Sequence, residues 1–132
     1  MSFKAKLIID NKEITILDYS LIVDQDTDVT GKPSANVVAG QISLNLEMSL
    51  KTQELSRWAL SNTNTKDGKI VFYAVDYSGI LRNIIFKKAF CIRYEEQYHH
   101  AGENPYTLDI LISAKDIHID DNVHSNSWPM AN

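Results

Sequence analysis

Residues 40–48 read GQISLNLEM, and from Gln41 onward the alternation is free of errors. Gln41, Ser43, Asn45 and Glu47 fall on one side, and Ile42, Leu44, Leu46 and Met48 on the other. A period of two belongs to a β-strand with one buried and one hydrated face. The hydrated face carries amides, a hydroxyl and a single carboxylate. What that face meets is the question the stretch raises: bulk water, a ligand, or another copy of the chain.

The same pattern recurs along the chain. Phe3 to Asp10 sets Phe3, Ala5, Leu7 and Ile9 against Lys4, Lys6 and Asp10. Asp10-Asn11-Lys12-Glu13 suits a tight turn, because Asn tolerates positive φ at little cost. A second strand then runs from Glu13 to about Val23, with Ile14, Ile16, Tyr19, Leu21 and Val23 as its apolar content. Residues 24–36 (DQDTDVTGKPSAN) lack apolar periodicity and form a long loop. Loops of about 12 residues or more are uncommon unless functional or disordered. Val37 to Met48 is the third strand.

Thr52 to Ser61 is the one helix expected, with Thr52 as its cap, Glu54 in the first turn, and Leu55, Trp58 and Ala59 on one face. Ile70 to Val75 is continuously apolar, so both faces should be covered, one by the core and the other by the helix or a partner subunit. The helix is the preferred cover. Further strands are expected at Ile80 to Lys88 and around Phe90, Ile92 and Tyr94, separated by a kink at Lys87-Lys88-Ala89. After a loop over 99–105, a last strand from Tyr106 to Lys115 buries Tyr106, Leu108, Ile110, Ile112 and Ala114, and extends through Ile117 and Ile119. The 120–132 tail is polar apart from Trp128 and Met130. Seven or eight strands with one helix predict a mainly β fold, a β-barrel or closed two-sheet sandwich, in one domain spanning 1–132.

Composition narrows the function. The 132 residues suffice for one hydrophobic core, with 44% hydrophobic and 23% charged residues. A net charge of -4 argues against nucleic acid or an anionic membrane as the main partner, since both call for a lysine and arginine surplus. No apolar run approaches the roughly 20 residues that span a bilayer. The opening MSFKAKLIID reads as a strand rather than a secretory signal. A lone Cys91 excludes an internal disulfide framework and fits a reducing cytoplasm.

Each hint of chemistry fails on geometry. Thr30-Gly31-Lys32-Pro33-Ser34 has the flavour of a phosphate loop, but Pro33 separates Lys32 from Ser34 and a strand follows where a helix is required. His99 and His100 diverge if in a strand, and no spaced Cys or His completes a metal set with them, His118 or His124. Cys91 falls on a face with Arg93, Glu95 and Gln97 and has no local histidine to activate it, which makes it a half-buried inert thiol. Glu95 and Glu96 point apart along a strand and cannot share a proton across a substrate. No enzyme, cofactor or metal site is expected.

Taken in order, the pieces resemble the Bacteroidetes branch of the haemolysin-coregulated protein family, the tube proteins of type VI secretion systems. MSFKAKLIIDNKE is similar to that family's first hairpin, and Thr30-Gly31-Lys32-Pro33-Ser34 to its loop motif, followed by Val37, Gly40 and the strand Gln41 to Glu47. Lys66 to Tyr73 (KDGKIVFY), Phe86 to Tyr94 (FKKAFCIRY), Ile112 to Ile117 (ISAKDI) and Trp128-Pro129 continue the match over nearly the whole chain. Lys32 stands where the family more often has Arg, which loses a planar fork for bidentate contacts. Tyr98-His99-His100 replaces a more acidic strand end.

The resemblance implies a non-enzymatic subunit of homohexameric rings that stack into a tube. The partners implied are a contractile sheath, a spike and baseplate, and effector proteins carried in the lumen or fused to subunits. The protein would be cytoplasmic until contraction drives it into the extracellular space or a target cell. Rings that stack need unlike top and bottom faces. The long loop, with Asp28, Thr30, Gly31, Lys32, Pro33, Ser34 and Asn36, is the expected ring-stacking contact. Gln41, Ser43, Asn45 and Glu47 are expected to line the lumen, where a hydrated and weakly charged wall would not trap cargo. An outward face meeting solvent or sheath fits the same stripe equally. Two other readings stand beside this one: a tube subunit of a related contractile particle or phage tail, and a small β-barrel that binds a ligand inside.

Overall fold

A computed structural model describes residues 3–24, 29–31, 38–75 and 79–126. Seven strands are described: β1 Phe3–Ile9, β2 Lys12–Asp24, β3 Val38–Glu47, β4 Lys66–Ala74, β5 Ile80–Tyr98, β6 Tyr106–Ile119 and β7 Asn122–Ser125. All neighbours are antiparallel, in the order β3-β2-β1-β4-β5-β6-β7. A further β3–β6 ladder closes six strands into a barrel and leaves β7 appended outside it. The expected barrel is present.

Its interior is filled, not hollow. Leu7, Ile14, Ile42, Leu44, Leu46, Ile70, Ile84, Phe86, Leu108, Ile110 and Ile112 are all at or near zero exposure. Of these, Leu7, Ile42, Leu44, Leu46, Leu108, Ile110 and Ile112 are positions that the alternation sets on one apolar face. The β1–β2 turn also follows the sequence: Asp10 and Asn11 both take positive φ, 53° and 61°, as a two-residue hairpin loop requires. A second two-residue turn at Asp120 and Asp121 leads into β7, a strand within the stretch expected as a polar tail.

Other expectations are corrected. The two strands expected on either side of Lys87-Lys88-Ala89 are one 19-residue strand, β5. It bends at Lys88, whose φ is 52° and whose N–H donates to Asp67 Oδ1 at 2.9 Å. The helix is shorter than expected. A 3-10 turn, Leu50–Thr52, is capped by Ser49, and α1 is confined to Leu55–Ala59. Thr52 is thus no helix cap: it closes a reciprocal box with Ser49 and is buried. Nor does α1 cover the β4 apolar run. Trp58 donates from Nε1 to the carbonyl of Ala89 at 3.0 Å, so the helix docks at the β5 bend, its Leu55 and Trp58 buried. Tyr106, expected in the core, is 42% exposed and stacks edge-on against Tyr98.

Candidate assembly surface

The β3 stripe lies in the middle of a four-stranded wall. Part of β2, all of β3, the first half of β6 and the second half of β5 lie side by side in that order. Gln41, Ser43 and Glu47 are exposed and Asn45 half-buried, while Ile42, Leu44 and Leu46 are buried behind them. The ladder registers set each stripe residue in a cross-strand row. Asn45 stands between Asp18 and Asp109, with Glu95 beyond. Ser43 stands between Ser20 and Leu111, with Arg93 beyond. Glu47 neighbours Thr107, then Gln97.

These rows alter the character of the face. The stripe alone is nearly neutral, but Asp18, Asp109 and Glu95 make the wall acidic, with Arg93 as a counter-charge. Its polar groups are tied to one another. Asn45 donates from Nδ2 to Asp109 Oδ1 at 2.7 Å, Gln97 from Nε2 to Glu95 Oε1 at 2.7 Å, and Arg93 pairs with Glu95 Oε2 at 2.9 Å. The Gln97 amide and then the Arg93 guanidinium hold the Glu95 carboxyl below the usual carboxylate range. Sequence reasoning missed Asp18, Ser20, Asp109, Arg93 and Glu95 as parts of one face with β3. The alternation in β2 and β5 is broken by register shifts between Ile16 and Asp18 and between Cys91 and Arg93, so their faces cannot be carried along by counting in twos.

The shift in β5 also corrects the expectation for Cys91. The thiol does not share a face with Arg93, Glu95 and Gln97 but turns into the core, opposite Ile112, at 5% exposure. Burial pushes it up from 9.0 to about 11, and the thiol donates to the Arg93 carbonyl at 3.3 Å. A thiol that stays protonated is a poor nucleophile. Among the described residues, no group of three or more His, Cys, Asp or Glu side chains is placed to hold a metal ion.

Both flanking strands of the wall are unpaired along their outer edges. β2 pairs with β1 only from Lys12 to Thr15, so from Leu17 to Asp24 its outer edge has no ladder partner among the described residues. β5 pairs with β4 only up to Ala89, so from Cys91 to Tyr98 its outer edge is likewise open among the described residues. Each open stretch is about as long as the other. Beside the β5 edge, α1 and the strand enclose a groove of about 390 Å³ lined by Ala59, Leu60, Cys91 and Ile92, among others. Leu60 and Ile92 are 88% and 53% exposed there. At the β2 edge, Ile22 and Val23 are exposed.

The expected stacking loop leaves the barrel at one end, where Asp24 pairs with Val38. Thr30 and Gly31 are exposed, with Gly31 at φ 86°. Asp28, Lys32, Pro33, Ser34 and Asn36 lie outside the described residues, as do Trp128 and Met130. At the opposite end stands the 99–105 loop, where the Met48 N–H donates to the Tyr106 carbonyl at 3.1 Å, so the two ends differ in build.

A model of the haemolysin-coregulated protein family (Hcp, TssD) matches residues 1–129. The chain is 31% identical to Hcp1 of Flavobacterium johnsoniae, over 93% of this chain and 99% of that one, with a TM-score of 0.85. Hcp1 of Salmonella typhimurium shares the fold at 12% identity and a TM-score of 0.73, over 89% and 85% of the two chains. So does a sheath/tube terminator of an extracellular contractile injection system, at 18% identity and a TM-score of 0.63, over 88% and 92%. No curated protein matches the chain.

Proposed function

This chain belongs to the haemolysin-coregulated protein family, the tube subunits of type VI secretion systems, and from that premise we propose how its copies build the tube. The two open edges join: β5 of one copy pairs with β2 of the next, head to tail around a closed ring. The single observation that carries this is that, among the described residues, one four-stranded wall has an unpaired edge on each side.

Strand direction supports the joint. An antiparallel wall of four strands ends with β2 and β5 running in opposite directions, so adding β2 of the neighbour to β5 continues the antiparallel alternation. A head-to-tail contact of this kind is heterologous, and it yields a ring when the rotation closes. Six copies, the number the family resemblance implies, give a barrel of 24 strands. At roughly 4.8 Å between strands and a tilt of up to about 40°, its diameter is on the order of 40–50 Å. A folded domain of about 100 residues, with a radius of gyration of about 13 Å, fits such a bore.

Pleating assigns the side chains at the joint. Alternate residues of an added strand go to opposite faces. Leu21, paired to inward-facing Ile42, therefore lies on the flank where α1 and β5 form their groove, and Val23 follows it. The apolar groove and the apolar β2 edge thus meet. The other face of the wall, with Gln41, Ser43, Asn45 and Glu47 at its centre, lines the lumen. The loop that includes Asp28, Thr30, Gly31, Lys32, Pro33, Ser34 and Asn36 reaches the adjacent ring in the stack. Effectors travel in the lumen, the sheath surrounds the tube, and the spike and baseplate meet its ends.

Val23→Asp tests the joint. It puts a charge into the groove of the neighbour while leaving the barrel core intact, so native mass spectrometry should find monomers with an unchanged circular dichroism spectrum. Rings that persist in this variant would refute the β5–β2 joint. Ser43→Glu tests the lumen assignment: rings should form normally with changed cargo retention. Normal cargo handling with impaired sheath assembly would place that face outside.

A further inference from the structure

β1 and β2 part soon after the turn that joins them. Their ladder runs only from Ile9 and Lys12 to Lys6 and Thr15. Beyond it the two strands enclose a cleft of about 500 Å³ lined by Lys4, Lys6, Thr15, Leu17 and Asp18, among others. A strand added to the open edge of β2 enters this cleft and comes to lie beside the start of β1. Lys4 and Lys6 stand on the outward side of β1, out of phase with the buried Leu7 and Ile9. Lys6 donates to the Thr15 hydroxyl at 3.0 Å. Lys4 is exposed and, among the described residues, makes no ion pair.

The far end of β5 carries the complementary charge. Glu95 and Glu96 point to opposite faces of the strand. Glu95 pairs with Arg93, whereas Glu96, among the described residues, makes no ion pair. The Tyr106 hydroxyl donates to Glu96 Oε1 at 2.7 Å, and that bond holds the Tyr106 phenol above its usual range. The Tyr106 ring meets Tyr98 edge-on, with centroids 6.0 Å apart and planes at 86°. Both rings are exposed. Two perpendicular aromatic rings beside a carboxylate make a corner suited to an ammonium group: the ring faces attract a cation and the carboxylate neutralises it.

Strand direction brings the two together. In an antiparallel pair, a step back along one strand is a step forward along the other. With Val23 of one copy in the groove beside Ile92 of its neighbour, six residues back to Leu17 match six residues forward to Tyr98. Leu17 borders the cleft that Lys4 lines. We propose that Lys4 of one copy enters the Glu96–Tyr98–Tyr106 corner of its neighbour, and that this contact specifies the direction in which copies join. The proposal rests on the β5–β2 joint described above. Either open edge could instead pair with its own kind about a two-fold axis, which would close a dimer and stop ring growth. A β5-to-β5 pair leaves both Glu96 corners without a lysine, and a β2-to-β2 pair leaves both Lys4 ammonium groups without a carboxylate. Only the head-to-tail joint satisfies both, so the corner selects the ring over the dimers.

Charge reversal tests the contact, read by native mass spectrometry over a dilution series, with circular dichroism to check that each variant keeps the monomer fold. Lys4→Glu and Glu96→Lys alone should each raise the concentration at which rings half-assemble by about ten-fold, because each sets like charges together at every joint. Combined in one chain, the two reversals restore an opposite pair, and half-assembly should return to within about three-fold of wild type. Single variants that assemble like wild type, or a double variant no better than the worse single one, would overturn the Lys4–Glu96 contact. Either result would leave the β5–β2 joint standing, since Val23→Asp tests that joint separately. Wild-type protein that forms no rings would remove the joint, and the contact with it.

Discussion

The two halves of β5 share one continuous strand and have opposite fates. From Ile84 to Ala89 the strand is paired on both sides, with β4 and β6, and buries Ile84, Phe86 and Ala89 completely. From Cys91 to Tyr98 it is paired, among the described residues, with β6 alone, and exposes Ile92 and Tyr98 at 53% and 68%. The bend at Lys88, with Trp58 anchored to Ala89, separates them. An unpaired strand edge is a template for another chain, and proteins that need no partner blunt such edges. One half of the strand holds the subunit together, and the other half is the edge we propose to hold subunits to each other.

Mutations along β5 should therefore trade an effect on folding for an effect on assembly as the position moves past the bend. Phe86→Ala, in the doubly paired half, should cost about 3–5 kcal/mol in urea unfolding, the range for a buried phenylalanine. Gly68→Ala, which sets a methyl against the Phe86 ring, should cost about 1–3 kcal/mol through overpacking. A loss below about 0.5 kcal/mol in either would show that the paired half is looser than its burial indicates.

Alkaline pH probes the junction. Cys91 is raised from 9.0 to about 11 and Tyr19 from 10.0 to about 12, both chiefly by burial, so each favours the folded state while protonated. Their contribution is complete below pH 9 and is lost as pH rises through 11 for Cys91 and 12 for Tyr19. Thermal melts should be flat up to pH 9 and then fall, and Cys91→Ala should remove the first part of the decline. A melting temperature in Cys91→Ala with the same pH profile as wild type would contradict the assignment. Past the bend, Ile92→Asp should change monomer stability by no more than about 0.5 kcal/mol, the usual range for surface substitutions, yet prevent ring formation on size exclusion.

Much of this contrast was legible in the sequence. Alternation located β1 and β3, the Asp10-Asn11 turn followed from the tolerance of Asn for positive φ, and the kink at Lys87-Lys88 was anticipated. That β5 runs through its kink was not, because a positive-φ residue reads as a break unless the ladder with β6 beyond it is known. The helix was overextended because Ser49 and Thr52 cap a 3-10 turn first, and a Thr before an apolar run reads equally as the cap of a longer helix. The central stripe of the candidate wall was found from Gln41 to Glu47, whereas its acidic flanks depend on cross-strand register, which the bulges at Ile16–Asp18 and Cys91–Arg93 reset. The stacking loop residues Asp28, Lys32, Pro33, Ser34 and Asn36 rest on the family resemblance together with the position of Thr30 and Gly31 at one barrel end.

Native mass spectrometry of the concentrated wild-type protein, paired with negative-stain images, tests the central claim most directly. The account predicts closed rings at six times 15.0 kDa, about 90 kDa, with an open bore. A population that stays at 15.0 kDa at every concentration, with both strand edges protected from amide exchange, would contradict it.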